Sequence, residues 1–465
     1  MHSEYYQEDE LKGSLSSFEE SLKYNENRYF EIHEFEFIID HYLSSNDISK
    51  SKKALQNALN IHPKNHELQK RLAQINNVEG LHKEAILTIN NSFNSFGTQK
   101  DIDYYLILGE AYLGINELDK ADVLLRKAVD ISGEEFFEIV TTVAALYQQE
   151  GFFENAIQYL KKVEDEDSSL LFDIAMGYYN ISAFSRAIKY FEKFIPTAPF
   201  SADAWYYISL CNKFIDKYKE AEDAILNAIA IDPNILLYQY DLAKIYIDQI
   251  KYIDALELYK EILSKDKNVN HTIFLSIGDI SYNLEQYENA RKNYEIALRL
   301  NPESEEAFHS LGLVEIESQD YTKAKLYIQK AIAISSSRVD FFMSLGTTNQ
   351  LMGDDLGAEY AYLEAVKLAP EVEGSWSLLV DFYYLNDRPQ KAIETNLQAF
   401  KEVGETSLLQ AKMAAANFDL GNREEALLYL KKSLTQNKNE KEGFLEYYPE
   451  ALTDNEILEL LSQYS

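Results

Sequence analysis

Alanines recur along this chain at a fixed step. Ala187, Ala221 and Ala255 form one run, and Ala290, Ala324, Ala358, Ala392 and Ala426 form another. Every step inside each run is 34 residues (221−187, 255−221, 324−290, 358−324, 392−358, 426−392). A period in this range marks a repeat array, in which each unit is one supersecondary element stacked on its neighbours. Such an array needs no single large core, so a length of 465 residues does not force a division into conventional domains. Function must then be read from the surfaces that the array presents.

The clearest unit runs from residue 271 to 304. Phe274, Ile277 and Gly278 recur at helical spacing, Ala290, Tyr294 and Ala297 do so again, and the polar stretch from Asn283 to Tyr287 separates the two groups. This predicts a helical hairpin. Small residues allow the two helices to approach, large ones fill the gap, and Pro302 ends the second helix. Pro63, Pro199, Pro233 and Pro370 fall at the same closing position.

On these residues the chain resembles the tetratricopeptide repeat (TPR) family, whose units pair a large residue, Leu-Gly and Tyr in helix A with Ala, an aromatic residue and Ala in helix B, followed by Pro. Twelve units open near residues 32, 66, 102, 137, 168, 202, 236, 271, 305, 339, 373 and 407. The first small residues of helix B are then Ser51, Ala85, Ala121 and Ala156, followed by the eight alanines above. The resemblance implies an all-α fold, an α-α superhelix (TPR solenoid) over residues 32–440, similar to all-TPR proteins of bacteria. Residues 1–31 are expected to hold an N-terminal capping helix from about Leu11 to Tyr24, with Leu15, Phe18 and Leu22 on one face. Residues 441–465 are expected to hold a C-terminal capping helix opened by a Thr453/Glu456 capping box, with Ile457, Leu460, Leu461 and Tyr464 facing inward.

Departures from the pattern carry expectations of their own. Gln69, Gln239 and Gln410 stand where a large apolar residue is usual, and Asn396 replaces an apolar helix-B residue; all four should weaken local packing. The step from Ala85 to Ala121 is long, and Asn90 to Gly97 reads as a lengthened loop. The step from Ala156 to Ala187 is short, with the acidic run Glu164-Asp165-Glu166-Asp167 in the connection, which predicts a local change of superhelical pitch. Trp205 and Trp376 are expected between helices.

The chain offers no catalytic constellation, no metal site and no cofactor motif, so it is read as a non-enzyme. Cys211 is its only cysteine, which rules out an internal disulfide, and it is expected to be a small buried hydrophobe. His62 and His66 lie in an inter-repeat turn around Pro63, off any shared helix face. Gly109, Gly278, Gly312 and Gly346 sit inside predicted helices, not in a phosphate loop. The start carries Glu4, Glu8, Asp9 and Glu10, and no apolar run long enough for a signal or membrane segment occurs; a soluble, cytoplasmic protein without membrane insertion is expected. A net charge of −33 disfavours nucleic acid and favours basic or neutral partners.

The resemblance also implies where binding occurs. TPR proteins line their concave surface with the second, fifth, ninth, twelfth and thirteenth residues of helix A. Carried onto this chain, that rule selects Phe172, Met176 and Tyr179; Tyr206, Leu210 and Phe214; Tyr240 and Ile247; and Leu275, Asp279 and Tyr282. Asp203 and Asp248 are interspersed, with Lys213 and Lys244 as local cations. Rigid aromatics ringed by charge suit a peptide-binding hot spot. The chaperone-binding subset of the family needs Asn at the ninth position, where this chain has none, and only Lys70 with Arg71 supplies local positive charge. The expected function is therefore an interaction scaffold holding a protein or peptide that is apolar with basic flanks, with self-association possible. The alternative is a regulatory TPR subunit of an enzyme or of a nucleic-acid-associated complex.

Overall fold

Each period folds as two antiparallel helices because its small residues let them touch. Ala290 and Ala324 are fully buried, as are the alanines at the same place in the other repeats. Where a glycine faces them the approach is closer still: a Cβ on Gly278 would lie 2.4 Å from the Tyr294 ring, and one on Gly346 would lie 2.5 Å from Tyr362. Space denied to a side chain at the eighth position is thus filled from helix B. The computed structural model describes residues 2–24, 28–45, 47–63, 65–96, 101–265 and 270–464. Among them are 27 α-helices, two short 3-10 helices and no strand, so the protein is all-α. Two compact units are present, Met1–Ile245 and Tyr246–Ser465, each with its own buried clusters.

The turn between helix A and helix B is the most regular feature. In every repeat the N–H of the sixteenth residue bonds the carbonyl five residues back, as in Glu117 to Tyr112 (2.8 Å), Gln286 to Ser281 (2.8 Å) and Asn422 to Asn417 (2.9 Å). This is the Schellman closure, and it requires a left-handed residue just before it. That residue is Gly151 (φ 80°) or Gly353 (φ 74°) in some repeats, but Asn116, Ser182, Asp216, Ile250, Glu285, Gln319 and Asp387 in others, with φ between 53° and 62°. Helix A starts on side-chain caps: Asp101 accepts from the Tyr104 N–H at 2.9 Å, and Asn65 accepts from that of Leu68 at 3.0 Å.

Several expectations change. The stretch from Asn90 to Phe96 is helical, because helix B of the 66 repeat runs from His82 to Phe96; Gly97 lies outside the described residues. The short step from Ala156 is absorbed by the helices themselves. Helix B Phe153–Leu160 has 8 residues and the following helix A, Leu170–Asn180, has 11, with the acidic run in turns between them. Gln69 and Gln239 do not simply weaken packing. Each amide donates to the carbonyl of the proline six residues back (3.4 Å to Pro63 and to Pro233), just as the indole N–H of Trp376 donates to Pro370 (2.8 Å). Gln410 makes the same kind of bond to the carbonyl of Glu405 (3.3 Å), although the amide oxygens of Gln239 and Gln410 are left without partners. Asn396 does conform: it is fully buried and neither amide atom is hydrogen-bonded.

The N-terminal helix extends over His2–Tyr24 and buries Phe18 beneath Phe30 and Tyr42, with ring centroids 6.1 and 6.2 Å away. The C-terminal cap is three elements rather than one helix: Glu440–Tyr447, the 3-10 turn Pro449–Thr453, and Asn455–Ser462. The last helix is capped by Asp454, which accepts from the N–H groups of Glu456 and Ile457, and not by Thr453, whose hydroxyl bonds back to Glu450. Trp376 is buried, whereas Trp205 is half-buried.

Candidate functional site

The sequence-selected residues of the first unit divide by what they touch. Phe172, on helix Leu170–Asn180, meets Phe191 and Phe194 edge-on at 5.4 Å each, so it fills the seam inside its own hairpin. Met176 packs against the same buried cluster. Tyr179 points toward the next repeat, 5.2 Å from Tyr207 and 5.9 Å from Phe184. Phe184 in turn stacks on Phe214 at 4.6 Å and 13°, and Phe214 leaves 58% of its surface to solvent. Tyr206, on helix Ala202–Phe214, donates its hydroxyl to Asp241 at 2.7 Å and lies 4.9 Å from Tyr238. Leu210 and Tyr240 are half-buried. The result is a ladder of rings along the helix-A side, ending in one exposed phenyl face.

In the second unit, Ile247 and Leu275 are half-buried. Tyr282 donates to Glu317 at 3.2 Å, and its hydroxyl is pushed up to about 12 by burial and by that carboxylate. Asp279 presents an edge to solvent yet is crowded enough that its carboxyl is raised above the usual range, against the pull of the Tyr294 hydroxyl bonded to it at 2.8 Å.

Three short segments decide the family. Sequence models described as "Tetratricopeptide repeat" match residues 102–135 and 305–338, and one described as "TPR repeat" matches residues 278–318. Over these residues the chain carries tetratricopeptide repeats. Among curated proteins it is similar to the BBSome complex member BBS4 of Bos taurus, 26% identical over 212 residues, covering 42% of this chain and 38% of that protein. It is also similar to the anaphase-promoting complex subunit CDC16 of Saccharomyces cerevisiae, 20% identical over 326 residues, covering 68% of this chain and 38% of that protein. The chain thus spans well under half the length of either relative. A solved tetratricopeptide repeat protein from Parabacteroides merdae is 22% identical, covers 57% of this chain and 98% of its own, and has a TM-score of 0.43.

Charge on the helix-A side of these TPR units is lopsided. Lys70 is buried and bonded to Asp101 and Asp103 at 2.9 and 3.0 Å; burial alone would lower its pKa, but the carboxylates around it raise it. Arg71 is held bidentately by Asp40, and Lys244 by Asp241 at 3.0 Å. These cations are already spent. Asp173 is raised by burial and then by Asp167, with no cation in that balance. Beside the aromatic ladder itself, Asp173, Asp203 and Asp241 stand against Lys213 and Lys244, so carboxylate is in surplus there.

Phe184 and Tyr207 belong to this TPR surface, with Tyr238 buried beneath it, and the helix-A position rule selects none of the three. A signal for Phe184 exists: Phe184, Tyr218, Tyr252, Tyr287 and Tyr321 all open helix B at the seventeenth position, a ring on the edge of the turn. On the helix-B side, a cavity of about 440 Å³ lies between Phe184–Phe194 and Tyr218–Ile231, with Trp205, Lys189, Glu192 and Asp223 in its wall. Cys211 is fully buried, and burial pushes its thiol up to about 12, so it is an unreactive core residue. No helix among the described residues is long and apolar enough to cross a membrane.

Proposed function

We propose that this chain is a non-catalytic interaction scaffold that holds a segment of a partner protein on the helix-A side of its repeats. The observation that carries this reading is Phe214, most of its ring in water while Phe184 and Tyr179 brace its other side. An exposed aromatic on a rigid ring ladder is an anchor of the kind that dominates binding energy at interfaces. The neighbouring carboxylate surplus favours a partner whose apolar residues are flanked by Lys or Arg. Phe214, Tyr206, Leu210, Tyr179 and Tyr240 form the proposed contact surface in the first unit, with Phe172 and Met176 as its support. Ile247, Leu275, Asp279 and Tyr282 form a separate surface in the second. Both named relatives are members of multi-protein complexes, which agrees with a protein ligand.

A peptide array tests this. Short peptides pairing aliphatic or aromatic runs with Lys/Arg flanks are expected to bind, and the same runs with Asp/Glu flanks are not. A Phe214→Ala/Tyr206→Ala/Tyr240→Ala variant with unchanged circular dichroism is expected to lose at least about tenfold in affinity. Equal binding by variant and wild type would rule out this surface, and retardation of RNA at physiological salt would favour a nucleic-acid complex instead.

A further inference from the structure

The C-terminal cap departs from the TPR rule in a way that bears on binding. In the repeats that open at 305, 339, 373 and 407, helix A lies chiefly against the helix B before it and only lightly against the previous helix A. The helix Glu440–Tyr447 reverses this preference: it lies chiefly against helix A of the 407 repeat, Ser407–Asp419, and lightly against helix B, Arg423–Gln436. Asn455–Ser462 reaches helix B through side chains, where Asp454 and Glu456 grip Arg423 at 2.6 and 2.7 Å. The chain's own segment therefore crosses a helix-A face, the kind of face on which TPR units receive ligands.

Its fit there is that of a ligand in a site. Tyr447 stacks on Tyr384 at 4.4 Å and 19°, although Tyr384 belongs to the 373 repeat and a whole helix intervenes. The intervening helix carries alanine at its fifth and ninth positions, Ala411 and Ala415, where the 202 repeat has Tyr206 and Leu210. Lys412 forms the wall: its ammonium bonds Asp381 at 2.6 Å and stands 5.3 Å from the Tyr447 ring. Tyr448 stacks on Phe418 at 5.3 Å and 13°, and at the other end Ser407 donates to Glu440 at 3.1 Å. Yet the Tyr447 hydroxyl is shut off from water beside the Asp381 carboxylate, which Lys412 already holds, and makes no hydrogen bond of good geometry. A phenylalanine would fill the same space without leaving a buried hydroxyl unpaired. The segment is held by rings and weakened by one polar atom, a balance suited to release.

We propose that residues 440–448 are a displaceable internal ligand of the helix-A face formed by the 373 and 407 repeats. A partner takes their place by presenting its own aromatic side chain between Tyr384 and Lys412, on a short acidic helix like the one displaced, in which Glu440, Glu442 and Glu446 accompany Phe444 and Tyr447. This is independent of the ring ladder in the first unit. Hydrogen exchange on the full chain tests it. Tyr447→Ala is expected to speed exchange of the 440–448 amides by about tenfold or more while the helices of the 407 repeat change by less than about threefold. Tyr447→Phe keeps the rings and removes the orphan hydroxyl, so exchange of the segment should slow. A fluorescein-labelled peptide of residues 440–449 is expected to bind the Tyr447→Ala chain and not the wild type. Equal loss of protection in the 407 repeat would mark the segment as ordinary core. No change on Tyr447→Ala, faster exchange on Tyr447→Phe, or equal peptide binding by both chains would each overturn the proposal.

Discussion

Ile250 is the one β-branched residue among those described that holds the left-handed position of the inter-helix turn, with φ 62°. A Cβ there crowds the following carbonyl at a cost of about 1–2 kcal/mol, and Asn tolerates the position better. Ile250 is 72% exposed, so replacing it forfeits little burial. Ile250→Asn is therefore expected to stabilise the protein by about 1 kcal/mol in urea unfolding followed by circular dichroism; an unchanged or lower midpoint would show that the turn carries no strain. Asn396 is the second such residue. It occupies the helix-B place that Leu125, Ile328, Tyr294 and Tyr362 fill elsewhere, and both its amide atoms are buried and unpaired. Asn396→Leu keeps the heavy-atom count and the branch at Cγ and removes that penalty, so about 1–2 kcal/mol of local stabilisation is expected, read as slower exchange across Pro389–Glu402. Faster exchange there would mean an internal water pairs the amide.

At the scale of the element, the last helix separates two readings of the same residues. The T-x-x-E spacing points to Thr453 as its cap, but the chain turns one residue later and Asp454 takes that role, accepting two backbone N–H groups and the Arg423 guanidinium. Those contacts, the guanidinium first, hold the Asp454 carboxyl down to about 2. Asp454→Ala should cost about 1 kcal/mol in the stability of Asn455–Ser462, and Thr453→Ala less than about 0.5. The reverse order would restore the Thr453 cap. Because the folded pKa lies below the unfolded one, the contribution of Asp454 is present above about pH 4 and is lost as pH falls toward about 2. Helix count, pairing and the buried alanines were legible in the sequence because a 34-residue period repeats the same packing problem, and repetition averages out local ambiguity. Boundaries outside the period were not: the helical run to Phe96 and the three-part cap depend on tertiary contacts that local spacing does not encode. The proposed helix-A surface was legible as positions but not as roles, since whether Phe172 faces solvent or Phe191 is decided by the rotation of one helix against the next.

The net charge of −33 acts on the whole molecule. The chain carries 77 acidic and 44 basic side chains, and many of the latter are engaged with carboxylates nearby, so the excess negative charge has no internal counterion. Folding brings these charges together, and their repulsion opposes it. Salt bears on both signs, but exposed pairs contribute only about 0–1 kcal/mol each, so screening the repulsion outweighs screening the attractions. Raising NaCl from about 10 to 200 mM should thus raise the melting temperature, with most of the gain below about 100 mM, where the Debye length falls toward 10 Å. Protonation should act in the same direction. Glu110, Asp173 and Asp279 have carboxyls raised first of all by burial, so what they contribute is fully present below their unfolded values near 4 and is lost as pH rises through their higher folded values. Asp340, Asp354 and Glu359 are held low by their cation partners and keep their contribution until the pH falls below about 4. Between these two groups the melting temperature should climb as pH drops from 7 toward about 5, and the gain should shrink at high salt, because both treatments relieve the same repulsion. A melting temperature that falls with added NaCl would mean that the ion pairs, and not the surplus of carboxylates, govern the stability of the array.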